Sequence, residues 1–240
     1  MRPSRSLNII IFALIAFPLL TAVPGRAQAK KSAKPAAATP AFDYSAVVKQ
    51  LKARNIGPAN MGGRTVDFAV PDNDPSVIYA AVGPSGLWKS EDSGINWAPS
   101  FHKEATVSVG AVAVSPSHPD IVWVGTGEAT ARNSVAPGDG VYKSEDAGRT
   151  WKNMGLAATR FVSRIVIDPA NPDVVYVAAQ GHLWGPNEDR GVYRTLDGGK
   201  TWKKVLYVNA ETGACDMAID PSNSKILYAG MWEYRRWPYY

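Results

Sequence analysis

The chain has 240 residues with a net charge of +5, 20% charged and 10% aromatic residues, and a single cysteine, Cys215. One cysteine excludes an intramolecular disulfide framework, and a chain this long can bury a core without such staples. The positive charge is not spread over the chain. Residues 1–34 hold six of the 26 Lys and Arg and no acid, which leaves 20 basic against 21 acidic residues in the rest. A body this close to neutral gives no argument for nucleic acid as a partner.

Residues 1–29 begin with Arg2 and Arg5, continue as an apolar run from Ile9 to Val23 broken by Pro18, and reach the small-residue site Ala27, Gln28, Ala29. That order reads as a secretory signal peptide cut after Ala29, and predicts a secreted or periplasmic protein. The apolar run falls short of the roughly 20 residues that span a bilayer, so no stable membrane insertion is expected after cleavage. Residues 30–42, rich in Lys, Ala and Pro, cannot bury a core and read as a flexible linker. Residues 43–240 are expected to form the folded part.

Within it the pattern [Ser/Thr]-x-Asp-x-Gly-x-[Thr/Asn]-Trp occurs three times. The copies are Ser90, Asp92, Gly94, Trp97; Ser144, Asp146, Gly148, Trp151; and Thr195, Asp197, Gly199, Trp202. A second signature, an apolar run, a Pro/Asp/Asn turn and a second run ending in an aromatic, precedes each copy at residues 68–79, 112–123 and 165–176 and recurs at 217–228. Each unit therefore reads as two strands joined by a tight turn, then a third strand of the form Gly-[Leu/Val]-[Trp/Tyr]-[Lys/Arg] running into the Asp-containing box, then a short fourth strand. Four antiparallel strands in about 50 residues, with no helical periodicity, describe a propeller blade. The fold expected is all-β: a propeller of three blades and the start of a fourth, the N-terminal part of a longer protein or of an assembly with another chain.

The boxes have a structural reading of their own. Asp92, Asp146 and Asp197 accept backbone N–H groups in the turn between third and fourth strands, the glycines supply a positive φ, the Ser or Thr hydroxyl ties down the start, and the Trp buries its ring between blades. A catalytic carboxylate is needed once or twice, whereas a fold device is needed in every blade.

These boxes resemble the Asp box, or bacterial neuraminidase repeat. Residues 56–240 resemble the sortilin N-terminal-type propellers and the xyloglucan-active glycoside hydrolases that share their repeat, and are similar to the photosystem II assembly-factor propellers. The resemblance implies a propeller, and it covers enzymes, receptors and scaffolds alike. It also implies where catalysis would sit. The xyloglucan-active enzymes carry a catalytic Asp just after the second strand of their first blade, where residues 80–86 here have no carboxylate. Sialidases use an Arg triad with a Tyr–Glu pair, and Arg64, Arg132 and Arg190 are scattered in this sequence.

Loop length varies on the face opposite the boxes. Insertions at 126–140 and 180–191 and the segment 230–240 place Glu128, Arg132 and Asp139, then His182, Trp184, Glu188, Asp189 and Arg190, then Trp232, Glu233, Arg235, Arg236 and Trp237 on that face. Aromatic rings beside carboxylates and guanidinium groups suit a carbohydrate, and suit a protein epitope equally. The ligand-binding candidates are Glu128, Arg132, His182, Trp184, Trp232 and Arg235, and Glu128 and Glu233 are the candidate catalytic carboxylates for a glycosidase. His102, His118 and His182 have no metal-ligand spacing, and neither cofactor nor metal is expected. The expected function is an exported propeller that binds a glycan or protein on its long-loop face. The alternatives are a glycoside hydrolase with its carboxylates partly beyond this chain, and a scaffold for envelope-protein assembly.

Overall fold

The computed structural model describes residues 63–237. The proposed signal peptide, the linker and the first part of the folded region, residues 43–62, lie outside the described residues. Three four-stranded antiparallel sheets follow one another along the chain. The first contains β1 (Thr65–Ala69), β2 (Ile78–Val82), β3 (Gly86–Ser90) and β4 (Ala98–Pro99). The second contains β5 (Val109–Val114), β6 (Val122–Thr126), β7 (Val141–Ser144) and β8 (Lys152–Asn153). The third contains β9 (Val162–Ile167), β10 (Val175–Ala179), β11 (Gly191–Thr195) and β12 (Lys203–Leu206). A two-stranded sheet of β13 (Thr212–Asp220) and β14 (Asn223–Glu233) opens the fourth unit. Strands pair in sequence order within each sheet, and the first strands of successive sheets lie side by side. These are the blades of a β-propeller.

Strand alternation divides the core into slabs between blades rather than one central mass. Along β6, Val122 and Val124 pack with Tyr79, Ala81 and Leu87 of the first blade, while Trp123 between them packs with Val162, Ile165 and Val175 of the third. The aromatic at this register points toward the following blade each time. Tyr79 and Trp123 are fully buried, whereas Tyr228 in the fourth unit is 64% exposed. Among the described residues no blade covers it.

The boxes form the turns their residues specify. In the second blade the Ser144 hydroxyl donates to Asp146 Oδ1 at 2.7 Å and accepts from Gly148 N at 2.8 Å. Asp146 accepts in addition from Thr150 N at 2.9 Å and from the Thr150 hydroxyl at 2.6 Å. Thr195, Asp197, Gly199 and Thr201 repeat these bonds, as do Ser90, Asp92, Gly94 and Asn96 with the Asn96 amide as donor. The box glycines have φ of +87°, +83° and +92°, a region costly to any residue with a Cβ.

The box tryptophans bind backward along the chain. Trp151 Nε1 donates to Ser100 O of the first blade and Trp202 Nε1 to Met154 O of the second, both at 2.8 Å. Trp97 departs from the expectation that each box Trp is buried between blades. It donates to Gly94 O of its own turn and is 39% exposed, because no blade precedes it among the described residues. A second departure concerns the segment 230–240. β14 continues to Glu233 because Trp232 and Glu233 pair with Gly213 and Thr212, so these two residues stand on a strand end rather than in a loop.

Candidate functional site

Each inner strand carries an irregularity at the same register, next to Val66, Gly110, Ser163 and Cys215. Such bulges re-aim the neighbouring side chain. The residues that follow are Asp67, Ala111, Arg164 and Asp216. Arg164 donates through Nη1 to Asp67 Oδ1 at 2.9 Å and through Nε to Asp216 Oδ1 at 2.8 Å. Asp67 belongs to the first blade and Arg164 to the third, and the intervening position is the small Ala111. One guanidinium thus joins inner strands of three blades, a relationship that no local sequence pattern announces.

On the long-loop face, Glu128 follows β6 and is fully buried. Both its oxygens are taken: Arg64 Nη2 donates to Oε1 at 2.6 Å and Arg132 Nη2 to Oε2 at 2.9 Å. Burial works to raise the Glu128 pKa, but hydrogen bonds and charge from the two guanidinium groups outweigh it and hold the carboxyl below its usual range. Both arginines remain about half exposed. The loop is braced from behind, where Ser108 Oγ donates to Ala136 O at 2.7 Å and Gly138 N to Arg160 O at 2.8 Å. Asp139 is occupied locally, accepting from the Tyr142 hydroxyl at 2.7 Å.

Of the three arginines that the sequence leaves scattered, Arg64 and Arg132 meet and Arg190 stands apart. Arg190 is fully buried and has no carboxylate partner among the described residues. It donates to the carbonyls of Ala210, Gln180, His182 and Gly185 and lies over the Tyr234 ring at 5.9 Å. Desolvation lowers its pKa, and its bonds staple the loop after β10. His182 Nε2 lies 3.0 Å from Ala158 O and 3.6 Å from Asp189 Oδ2. Glu188 is exposed, and its carbonyl accepts from Lys204 Nζ.

The last segment brings aromatic rings to this face. Tyr234 is buried with Phe161 and Leu183, and its hydroxyl has no hydrogen-bond partner among the described residues. Trp184, Trp232 and Trp237 are 48%, 49% and 61% exposed. Trp232 packs edge-on against Tyr234 at 5.6 Å, and Trp184 bridges to Arg236. Arg236 Nη2 reaches Ala131 O at 2.7 Å, so the fourth unit touches the Glu128 loop directly. Arg235 pairs with Glu211 at 2.5 Å and stacks over Trp237 at 3.7 Å. Glu233 is exposed and forms no ion pair among the described residues. The structure therefore gathers Glu128, Arg132, Trp184, Trp232 and Arg235 with Arg64 and Arg236 on one face. Arg64 and Arg236 are the contributions that spacing did not single out as ligand groups.

Two grooves lie elsewhere. One of about 640 Å³ between the first two blades is lined by Lys89, Asp92, Trp97, His102, Arg149 and Trp151, and one of about 540 Å³ between the next two by Lys143, Trp151, Asp197 and Lys200. Both open on the box face. Lys89 and Lys143, like Arg149 and Lys200, occupy matching columns of the repeat, so these grooves are the wedges left where neighbouring blades diverge. The long-loop face has the more varied chemistry. No group of three or more His, Cys, Asp or Glu among the described residues is placed to hold a metal ion.

No family model matches the chain. A xyloglucanase of Paenibacillus sp is 25% identical over 186 residues, covering 70% of this chain and 17% of that protein. A probable oligoxyloglucan-reducing end-specific xyloglucanase of Neosartorya fischeri is 28% identical over 162 residues, covering 59% of this chain and 17% of that protein. A xyloglucanase of Hypocrea jecorina is 27% identical over 188 residues, covering 71% of this chain and 21% of that protein. The chain thus spans about a fifth of the length of these curated relatives. Among solved structures, an ancestral GH74 enzyme superposes with a TM-score of 0.54 at 22% identity, over 71% of this chain and 22% of that one. YCF48 bound to D1 peptide gives 0.46 at 14% identity, over 67% of this chain and 46% of that one. This chain is a β-propeller similar, over much of its length, to part of the xyloglucanases.

Proposed function

We propose that this chain supplies a glycan-binding face of an exported propeller protein. The carrying observation is the set of exposed indoles, Trp184, Trp232 and Trp237, held beside fixed guanidinium groups on the face opposite the box turns. Indole rings stack on the C–H faces of sugars while charged N–H groups bridge hydroxyls, and a rigid support keeps the ordering cost of binding low. Similarity to xyloglucanases supports a polysaccharide rather than a protein as the ligand. The reading of residues 1–29 as a signal peptide puts the site outside the cytoplasm, where such polymers are met. Calorimetric titration with xyloglucan and acidic oligosaccharides tests the reading: saturable binding that Trp232→Ala weakens by about tenfold or more supports it, and no heat with any neutral or charged oligosaccharide refutes it.

A second reading, hydrolysis by a larger propeller of which this chain is a part, is favoured by the names of the relatives. It draws little from Glu128. A general acid needs a raised pKa and access to the glycosidic oxygen, whereas Glu128 is buried, doubly paired and held low. Glu233 is the more accessible of the two carboxylates. Release of reducing sugar from xyloglucan, lost in Glu233→Gln and kept in Glu128→Gln, is the outcome this reading expects. No turnover by the longest native form removes it. Partner capture from envelope extract tests the scaffold alternative.

A further inference from the structure

Three arginines from three parts of the fold converge on one short stretch of the loop after β6. Arg64 leads into β1, Arg132 belongs to the loop itself, and Arg236 follows β14. Arg64 and Arg132 grip the two oxygens of Glu128, and Arg236 binds the carbonyl of Ala131, the residue beside Arg132. Among the described residues Glu128 is the one acid ion-paired within the group, so three positive charges stand against one negative charge there. Arg235 is committed to Glu211, and Asp139 to the Tyr142 hydroxyl. Glu233 is nearby in sequence but makes no ion pair with the group among the described residues.

A brace between blade and loop needs a single guanidinium for the Glu128 carboxylate. The second leaves surplus charge at a half-exposed position, and the third adds to it. Each guanidinium has five N–H donors in a fixed plane. One on Arg64 and one on Arg132 are spent on Glu128, and one on Arg236 on Ala131. Arg132 Nε is buried and has no hydrogen-bond partner among the described residues. Arginines held in this way have already lost their rotamer freedom, so a ligand anion does not have to order them, and planar forks of this kind match a carboxylate with two parallel bonds. A backbone bridge joins Trp184 to Arg236, and the Trp184 side chain is about half exposed.

We infer that the glycan taken by the long-loop face is acidic, with a hexuronate carboxylate seated on Arg132, Arg64 and Arg236 and a neighbouring sugar ring on Trp184. This rests on the glycan-binding reading above and narrows it, away from the neutral polymer named by the curated relatives. Glu128 is a positioning residue in this account: it holds two of the cations in place.

The test is a titration of the full chain with tetragalacturonate and, in parallel, with a neutral xyloglucan heptasaccharide. The expected result is at least tenfold tighter binding of tetragalacturonate at low ionic strength. The gap should narrow as salt rises from about 0.01 M to about 0.15 M and the Debye length falls from about 30 Å to about 8 Å. Arg236→Gln, at a side chain whose hydrogen bond among the described residues goes to a carbonyl, and Arg132→Gln, which leaves Glu128 paired with Arg64, should each weaken the acidic ligand roughly fivefold or more while sparing the neutral one. Binding of the heptasaccharide with no preference for tetragalacturonate overturns the inference and leaves the glycan reading standing. Binding of neither ligand overturns both. A preference for tetragalacturonate that both variants retain overturns the assignment to these arginines.

Discussion

The hydroxyl of Tyr79 in the first blade donates to the carbonyl of Ala147 in the second at 2.9 Å. Ala147 is the residue before the box glycine and has a φ of +57°, so the tyrosine supports the turn at its most strained point. The blades are joined through this turn in both directions, since Ser100 Oγ also donates to Gly148 O at 2.5 Å and Trp151 returns its Nε1 to Ser100 O. Burial pushes the Tyr79 hydroxyl up to about 12, so it remains a donor throughout the neutral range. Tyr79→Phe should lower stability by about 1 kcal/mol, the net worth of one hydrogen bond, without changing the fold. Chemical denaturation measures this, and an unchanged midpoint would mean that the bond carries nothing.

Gly148→Ala should cost more. A Cβ at Gly148 would lie 2.8 Å from Ser100 Oγ and 3.2 Å from the Tyr79 ring, on top of the strain of φ +83°. Gly185 is the internal control, with φ +77° and nothing within 4 Å of the added atom. Gly185→Ala isolates the conformational term of about 1–2 kcal/mol. Gly148→Ala should exceed it by a further 1 kcal/mol or more from overpacking, roughly. Equal losses in thermal unfolding would show that the neighbouring blade yields freely.

The box aspartates should make the protein acid-sensitive in a defined window. The Thr150 and Thr201 side chains first, and their backbone N–H groups next, hold Asp146 and Asp197 down to about 2 from an ordinary 3.8. Folded pKa values below the unfolded ones mean that the stability they contribute is complete above about pH 4 and is lost as pH falls toward about 2. Melting temperature should hold from neutrality to about pH 4.5 and drop below it. Asp146→Ala should melt lower at neutral pH and show a shallower acid decline. An equally steep decline in that variant would place the acid sensitivity elsewhere.

Glu128→Gln removes the charge that holds Arg64 and Arg132 together. Losing one partner of a buried pair costs about 3–5 kcal/mol when all groups are enclosed. The half-exposed arginines can return to water, so the expected loss here is smaller, about 1–2 kcal/mol. Hydrogen exchange should rise first in the loop at residues 126–140. Protection unchanged there would contradict the bracing role.

The blades were legible because their determinants are local. Ser144, Asp146, Gly148 and Thr150 satisfy one another within seven residues, so the motif contains its own structure. The strand-like runs ending at Tyr79, Trp123 and Tyr176 likewise told strand from helix, while the direction of each ring emerged only from the packed blades. What joins one blade to another could not be read this way. Arg64 meets Glu128 from 64 positions away, and Arg164 meets Asp67 from 97 positions away. Neither contact has a periodicity, and each depends on curvature that the closing blades set together. Arg190, named with the charged loop residues, proved to be an internal staple because its partners are carbonyls, which leave no mark on a sequence. Trp97 differs from Trp151 and Trp202 through its neighbourhood alone.

Export of the chain is the part of the proposal that rests on sequence. Expressed with residues 1–29 intact, the protein should accumulate outside the cytoplasm and begin at Lys30. N-terminal sequencing of the accumulated protein checks this, and retention inside the cell with Met1 in place would refute it.

The central claim, that the long-loop face binds a glycan through its exposed indoles, is tested most directly by titrating an oligosaccharide panel into the native chain and into three single variants. Trp184→Ala and Trp232→Ala lie on that face, and Trp97→Ala lies on the box face beside the larger groove. The account predicts saturable binding to the native chain, weakened by about tenfold or more in the first two variants and unchanged in the third, in keeping with a stacking contribution of about 1–3 kcal/mol per ring. Binding lost through Trp97→Ala and retained in the other two would move the site to the box face and contradict it.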